Sequence, residues 1–288
     1  MSEWMPSWAG ARRFSRLLPG VLILAAFPLY AEHFDRLFSV GGYPLLSLRQ
    51  ISGDVVVRAW NRPEIRVLAS VKGSHVVADA TQQGSRVEVV SEVVGQHDES
   101  KEVVHYEIYV PAESELQLHS HDGLVRVEYV RGDVAIETRT ANVELKEVAG
   151  HINVKTAAGS LLADRCSGRM EVRSTSGDLK FTEPALAKLT AYTTDGDIAY
   201  EGDFQPGGMY NLSNHAGTIE LRIPKQASFD LQASSIQGQV TGDVPAVPLA
   251  KTWQSPTASP QRLAGRYLTG DASVRLSSFS GTIRIRWK

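Results

Sequence analysis

The amino-acid sequence predicts an all-β protein, a right-handed or flattened parallel β-solenoid of about 18-residue coils with an irregular N-terminal β cap. Three recurring features carry this prediction. A small turn residue returns at a nearly fixed spacing, apolar side chains alternate after each turn, and a small polar residue precedes each turn. The periodicity of an amphipathic helix is absent from these segments.

The turn residues set the length of the coil. A first series is spaced by 18 residues and later by 19, 21 and 21, and a second series is offset from the first by nine. This half-repeat favours a flattened coil with two faces, whereas hexapeptide left-handed helices have a shorter period. The calcium-binding nonapeptide roll is disfavoured because its Gly-Gly-x-Gly-x-Asp pattern does not occur. The first series is Gly123, Ala141, Gly159, Gly177, Gly196, Gly217 and Gly238, and the second is Gly132, Gly150 and Gly168.

The residues after each turn predict short strands. Apolar side chains occupy the second and fourth positions, and this period of two is that of a half-buried strand. Coils stacked about 4.8 Å apart would bury these side chains in one continuous core. The predicted inward pairs are Val125 and Val127, Val143 and Leu145, Leu161 and Ala163, Leu179 and Phe181, Ile198 and Tyr200, Ile219 and Leu221, Val134 and Ile136, Ile152 and Val154, and Met170 and Val172.

Small polar residues stand three positions before the turns of the first series. Because side chains alternate between the two faces of a strand, these residues should point inward at a corner. There they can form hydrogen bonds with the turn backbone and with one another. Facing outward, Glu137, Lys155 and Arg173 should form one column, and Arg126 should lie beside Glu144. The predicted polar ladder is Ser120, Thr138, Thr156, Ser174, Thr193, Asn214 and Ser235.

The chain is expected to divide into a signal peptide over residues 1–31, a β-rich N-terminal cap over 32–118, and solenoid repeats over 119–288. Residues 243–272 contain Pro245, Pro248, Pro256 and Pro260 and are predicted to form an extended loop.

Two further expectations concern the ends of the repeat. In the cap, strands over 65–71, 86–94 and 103–110 are predicted to form hairpins joined by polar turns such as 61–64. At the other end, the pattern returns over 273–287, which should close the stack.

The N-terminus predicts export. Three arginines precede an apolar run from Leu17 to Ala31, which is typical of a secretory signal and is shorter than the roughly 20 residues that span a bilayer. We expect cleavage after Ala31, with cleavage after Ala26 or an uncleaved anchor as alternatives, and a periplasmic, extracellular or cell-surface location. The membrane would then be a partner only through an uncleaved signal. The sole cysteine, Cys166, excludes an intramolecular disulfide, and no cysteine follows the apolar run to carry a lipid.

Residues 52–62 (SGDVVVRAWNR), the successive Ser/Thr-x-x-Gly-x-hydrophobic steps, and residues 207–224 give the chain a family resemblance. It resembles a bacterial domain-of-unknown-function family described as a "putative adhesin" with β-strand repeats, over about residues 34–288. The resemblance implies the solenoid fold and an adhesin-type function, and it brings no catalytic motif with it.

The sequence offers few candidates for chemistry. Asp178 and Asp197 occupy equivalent outward positions on adjacent coils beside Asp195, where they could form the carboxylate pair of a glycosidase or a surface calcium site. Because Asp is a favoured turn residue, we expect them to be part of the turns. His119 and His121 are two residues apart and could face the same side of a strand, where they would ligate a metal ion together with a third group. No third ligand is evident, because the strand register should keep His105 and His151 away from this pair. Cys166 is expected to pack as a small apolar side chain. We therefore predict no catalytic, cofactor-binding or metal-binding residue and no cofactor.

The expected function is that of an exported, non-enzymatic cell-envelope protein for adhesion or surface binding, with a surface polysaccharide or an envelope protein as partner. A net charge of -2 argues against nucleic acid. Two alternatives remain. A carbohydrate-active enzyme would have a groove lined by acids and aromatics such as Tyr192 and Tyr200, and a scaffold in envelope stress signalling would bind a membrane regulator.

Overall fold

The computed structural model describes residues 33–95, 102–243 and 261–288, and all regular elements in these ranges are β-strands. The fold class is confirmed as all-β, with two sheets built mainly from parallel strands. The strands are β1 His33–Ser39, β2 Leu45–Gln50, β3 Val55–Trp60, β4 Glu64–Lys72, β5 Val76–Gln83, β6 Arg86–Val93, β7 Val103–Pro111, β8 Glu115–Ser120, β9 Leu124–Glu128, β10 Val134–Thr138, β11 Asn142–Lys146, β12 Ala149–Thr156, β13 Leu161–Asp164, β14 Ser167–Ser176, β15 Leu179–Thr182, β16 Ala185–Asp195, β17 Ile198–Glu201, β18 Met209–Ala216, β19 Thr218–Ile223, β20 Phe229–Ser235, β21 Val240–Gly242, β22 Arg262–Tyr267, β23 Ala272–Ser278 and β24 Thr282–Trp287.

Each coil contributes one strand to each of two twelve-stranded sheets. Sheet I has the order β1-β4-β7-β3-β9-β11-β13-β15-β17-β19-β24-β21, and sheet II has the order β22-β20-β23-β18-β16-β14-β12-β10-β8-β2-β6-β5. From β8 to β19 the chain alternates between the sheets, and each strand pairs in parallel with the strand one coil away. Val143 pairs with Val125 on one side and with Leu161 on the other, so residues 18 positions apart in the sequence are direct neighbours in the sheet.

The core lies between the two sheets and consists of the alternating apolar side chains. All of the predicted inward pairs are buried, none more than 2% exposed. Burying a Val, Leu, Ile, Phe or Met side chain contributes about 1.5–3 kcal/mol. One 18-residue coil buries only a few such side chains, so its stability depends on the coils on either side.

The predicted polar ladder lies inside the corner where sheet II strands turn into sheet I strands. All of its members are buried, and several bond the backbone of their own turn. Thr156 Oγ1 accepts a hydrogen bond from the Gly159 N–H at 2.9 Å, and Ser235 Oγ donates to the Gly281 carbonyl at 2.8 Å. The ladder begins one coil earlier than predicted, with Gln50, whose Nε2 donates to Ser120 Oγ.

The spatial order of the coils differs from their order in the sequence at both ends. The strands β23 and β24 lie between the coil β18–β19 and the strands β20 and β21, so residues 273–287 do not close the stack as predicted. Gly281 packs so tightly on this inner side that a Cβ would lie 1.9 Å from the Gly217 carbonyl oxygen. At the other end, β2–β3 lies between β6–β7 and β8–β9. Equivalent repeats fit one another in any order, so the periodicity alone could not reveal this arrangement.

The N-terminal strands contain both regular coils and antiparallel additions. Residues 52–57 copy the repeat as expected, since Val55 pairs with Val125. The predicted hairpin at residues 61–64 does not form, because β7 lies between β3 and β4 in sheet I. The antiparallel hairpin is instead β5–β6, and β5 was not predicted. Its Val76 and Ala80 are buried, but polar residues separate them and conceal the alternation.

The interval 243–272, predicted as an extended loop, contains the strand β22. This strand pairs antiparallel with β20, and its Gly265 is buried opposite Leu231. Strand propensity at Leu263 and Tyr267 outweighs the loop signal of the prolines, all of which lie outside the described residues. The predicted signal peptide also lies outside them. Within the described ranges, no helix has the length and apolar character needed to cross a membrane.

Candidate functional site

The solenoid acids considered for catalysis bind the backbone of the next coil. Asp178 and Asp197 lie on adjacent coils, as predicted, and each follows a turn glycine. Their carboxylates accept hydrogen bonds that continue the strand pairing across the corner. The equivalent Asn142 makes the same bond, so these positions need an acceptor oxygen and no negative charge. The bonds are Asp54 Oδ1 to the Leu124 N–H (3.1 Å), Asn142 Oδ1 to the Ser160 N–H (3.0 Å), Asp178 Oδ1 to the Asp197 N–H (2.9 Å) and Asp197 Oδ1 to the Thr218 N–H (2.6 Å).

The two tyrosines of the enzyme alternative do not share a surface. Tyr192 faces outward from sheet II and is 43% exposed. Tyr200 is buried between the sheets, and its hydroxyl donates to the Asp203 carbonyl at 2.7 Å. The expected groove of acids flanked by Tyr192 and Tyr200 is therefore not formed by the described residues.

The histidines do not converge on a metal site. His119 faces outward near Glu137, at 3.8 Å, whereas His121 lies in the following turn. His105 belongs to sheet I and His151 to sheet II. No group of three or more potential metal ligands occurs among the described residues.

Cys166 is a core side chain. It is fully buried, and it stands 18 residues after Val148 and 36 after Val130, both of which are also fully buried. Burial raises the pKa of its thiol to about 11, so the thiol is protonated and weakly nucleophilic near neutral pH.

The outward charge columns have the predicted register. Arg126 and Glu144 form an ion pair at 2.7 Å, and Lys155 pairs in register with Glu137 on one side and Arg173 on the other. Arg173, however, makes its ion pair along its own strand, with Glu171 at 2.8 Å. Register alone therefore does not determine which charges pair.

One surface depression lies on sheet I near the N-terminus, where β1, β4, β7 and β3 are neighbours. This cap groove has a volume of about 700 Å³. Apolar side chains such as Val56 and Leu68 alternate in its lining with ionisable ones. The ionisable lining residues are His33, Asp35, Asp54, Arg58, His105 and Glu107.

Fixed ion pairs surround the cap groove. Arg58 contacts Glu107 at 2.7 Å and Glu128 at 2.8 Å, and its hydrogen bond to Glu128 raises the pKa of the guanidinium. Asp35 is held by Arg66, whose hydrogen bond lowers the pKa of that carboxyl.

The remaining acids of the cap groove are also held in place. The Tyr109 hydroxyl donates to Glu107 at 2.7 Å. The His105 ring lies 3.4 Å from the Asp54 carboxylate, and its Nδ1 accepts from the Asp54 N–H. The groove thus presents ordered charges of both signs, an arrangement suited to binding a polar ligand.

A second depression, the aromatic notch, lies where three turns of the N-terminal region meet. Its volume is about 450 Å³. Tyr43 is 80% exposed, with φ of 53° in the left-handed region, which non-glycine residues seldom adopt. The notch is lined by Val40, Gly41, Gly42, Tyr43, Pro44, Trp60, Asn61, Arg62, Pro63, Pro111, Ala112 and Glu113.

The aromatic notch is built rigidly. Trp60 packs against Tyr109 with ring centroids 5.3 Å apart, and its Nε1–H donates to the Glu64 carbonyl at 2.7 Å. The Arg62 guanidinium lies over the Trp60 ring at 5.1 Å. Each of the three turns contributes a proline, which fixes its backbone. Rings with a charged rim suit ligands that combine an apolar face with polar groups.

Sequence reasoning did not identify the residues of these two depressions. Tyr43 and Arg62 lie in turns outside the repeat, and Trp60 is the last residue of β3. These residues line one depression only because the chain folds their segments together. The sequence indicated this region only indirectly, because the residues around Tyr43 and Trp60 depart from the repeat.

The fold defines a class, the two-faced β-solenoids of about 18-residue coils. Within it, the chain belongs to the Toastrack DUF4097 family, whose model matches residues 45–286, and the predicted resemblance is thereby confirmed. No curated protein matches the chain.

Two solved structures are similar to this chain. One is a "putative cell adhesion protein" from Clostridium sporogenes, with 11% identity, a TM-score of 0.30 and coverage of 89% of this chain and 100% of that one. The other is a "putative adhesin" from Bacteroides fragilis, with 8% identity, a TM-score of 0.41 and coverage of 88% of this chain and 97% of that one.

Proposed function

We propose that the protein is an exported, non-enzymatic binding protein of the cell envelope, acting in adhesion or surface binding through its N-terminal cap. One observation carries the proposal. Two depressions, the cap groove of about 700 Å³ and the aromatic notch of about 450 Å³, both lie in the cap. The recurring inward side chains of the solenoid, by contrast, are buried in the core or at the corner.

The hydrogen bonds of the solenoid acids support a role without catalysis. General acid–base or nucleophilic catalysis requires side chains that can reach a substrate and exchange a proton with it. One oxygen of each of the exposed carboxylates Asp178 and Asp197 accepts a backbone N–H, which gives these acids a structural role, and Cys166 is buried. In the cap groove, Glu107 and Asp35 form ion pairs with Arg58 and Arg66.

The proposed ligand is a surface polysaccharide or a segment of an envelope protein. Either would place polar groups along the charges of the cap groove and an apolar face against the rings of the aromatic notch. Exposed Tyr, Trp and Arg side chains are the residue types that most often dominate binding energy.

Binding to envelope fragments of the source organism tests this role. The double variant Tyr43→Ala and Arg62→Ala should cosediment with the fragments at least about tenfold more weakly than the unmodified protein. The matched control is Ile236→Ala with Leu268→Ala, two exposed apolar residues distant in sequence from the notch. Equal loss in both double variants, or none in the notch variant, would contradict the proposed binding site.

Catalysis is tested by exposing a panel of polysaccharides to the purified protein and to Asp178→Asn and Asp197→Asn. Asparagine keeps the acceptor oxygen that the corner needs, as Asn142 shows, so these variants should fold. We expect no cleavage by any of them. Cleavage that is lost in either variant would overturn the non-enzymatic assignment.

A further inference from the structure

The outer face of sheet II carries an unusual grid of side chains on three adjacent coils. The strands β12, β14 and β16 lie side by side in parallel, and each presents three outward positions in register. We call these nine residues the basic face. Row by row, they are His151, Arg169 and Lys188; Asn153, Glu171 and Thr190; and Lys155, Arg173 and Tyr192.

The basic face has an excess of positive charge that the protein does not neutralise. It holds four cationic side chains and one acid, Glu171, which pairs with Arg173. Lys155, Arg169 and Lys188 are exposed and make no ion pair with any described residue. The acids nearest in register, Asp133 and Glu137, lie one coil towards the N-terminus.

The corresponding coils of sheet I have a different charge pattern. On β11, β13 and β15 the outward positions hold two lysines and two acids. Glu144 pairs with Arg126, Asp164 pairs with Arg165, and Lys146 lies over the Tyr129 ring. Lys180 is exposed without an ion pair to any described residue, but the two lysines and two acids of these strands balance, so the excess of positive charge lies on sheet II.

The geometry of the basic face suits an extended anionic polymer. Neighbouring coils are about 4.8 Å apart, and Arg169 and Arg173 are about 13 Å apart along their strand. The cations thus form two parallel rows, each crossing the coils. Between and beside the rows lie hydrogen-bonding groups on Asn153 and Thr190 and the exposed ring of Tyr192.

We propose that the basic face binds an acidic polysaccharide, with Lys155, Arg169 and Lys188 contacting its carboxylates. The polar middle row would bond hydroxyl groups, and the Tyr192 ring offers a surface for the C–H groups of a sugar. A nucleic acid is disfavoured by the net charge of -2 and by a single exposed aromatic on this face. An anionic membrane is disfavoured because none of the nine positions carries an aliphatic side chain.

Affinity electrophoresis of the full chain in gels containing polygalacturonate tests the proposal, with fully methyl-esterified polymer as the uncharged comparison. The triple variant Lys155→Gln, Arg169→Gln and Lys188→Gln should bind the charged polymer at least about tenfold more weakly, or by about 1.4 kcal/mol. The matched control, Lys146→Gln, Lys180→Gln and Arg284→Gln, removes the same charge from sheet I. It should bind within about twofold of the unmodified protein. Thermal unfolding of each variant confirms that it folds.

Several outcomes would overturn the proposal. These are equal weakening in the two triple variants, equal binding to the esterified polymer, no binding at low salt, or tighter binding to a single-stranded oligonucleotide or to anionic vesicles. This inference concerns a surface separate from the cap. The variant Tyr43→Ala with Arg62→Ala should therefore keep its affinity for polygalacturonate, so failure of either proposal is recognised independently of the other.

Discussion

At the scale of single residues, Cys166 shows how the repeat dictates side-chain chemistry. It occupies the column of Val130 and Val148, so its neighbours demand a small apolar group. The variant Cys166→Val should be as stable as the unmodified protein, within about 1 kcal/mol. Cys166→Ser should lower the free energy of unfolding by about 1–3 kcal/mol, because it buries a hydroxyl in an apolar column. Urea unfolding of the three proteins measures both values.

Thiol labelling provides the control for this prediction. With its pKa raised to about 11, Cys166 should react with a disulfide reagent at pH 8 only as fast as the protein opens. Rapid labelling of the native protein, or a Ser variant as stable as the Val variant, would show that the column is not packed as described.

The same scale shows what sequence can and cannot predict. The inward valines and leucines were predictable because alternation with period two fixes the face of a strand once the turns are known. The inward orientation of the polar ladder was predictable from the same alternation of side chains. Tyr43 and Trp60 could not be assigned to a common site, because the segments that line the aromatic notch meet only in the folded chain.

At the scale of elements, the antiparallel strands at the two ends are each attached by a bidentate Arg–Asp pair. Arg66 holds Asp35 of β1, and Arg266 of β22 holds Asp230 of β20, with each of the four nitrogen–oxygen distances at most 2.9 Å. The guanidinium lowers the pKa of each carboxyl in the folded state. Each ion pair therefore stabilises the folded state fully at a pH above the pKa of the unfolded carboxyl, about 3.9. This stabilisation is lost as the pH falls through the lower pKa of the carboxyl in the folded state.

We expect acid to loosen the ends of the solenoid before its coils. Between neutral pH and pH 3, amide hydrogen exchange in β1 and β22 should accelerate more than in β12 and β14, after correction for intrinsic rates. The variants Asp35→Asn and Asp230→Asn should show faster exchange already at pH 7 and little further acid dependence. Uniform acceleration across all strands would indicate that these pairs do not hold the ends.

At the scale of the whole molecule, the position of β23 and β24 inside the stack predicts an unusual pattern of protection. Terminal elements normally fray first. Here β24 pairs with both β19 and β21, and β23 pairs with both β18 and β20. Hydrogen exchange at neutral pH should therefore be slower in β23 and β24 than in β21 and β22. Faster exchange in the last strands would mean that they lie at the edge.

The order of the coils marks the limit of prediction at this scale. The repeat supplied the class of fold and the register of adjacent strands, because these depend on local periodicity. The repeat could not predict that, at both ends of the solenoid, the coils are stacked in an order different from their order in the sequence. The turns at Gly281 and Gly238 are each preceded by a corner serine at the same spacing, Ser278 and Ser235, so the turn pattern does not show which of them packs on Gly217.

The inserted strands also bear on how the chain folds as it is made. Until β23 and β24 exist, β20 and β21 have no parallel partner, and the slot that they border with β18 and β19 stays open. The stack is therefore completed only when β23 and β24 enter it, however early the middle coils have assembled. While the slot is open it can also accept the matching strands of another copy, and the entry of β23 and β24 of the same chain removes that site of strand exchange.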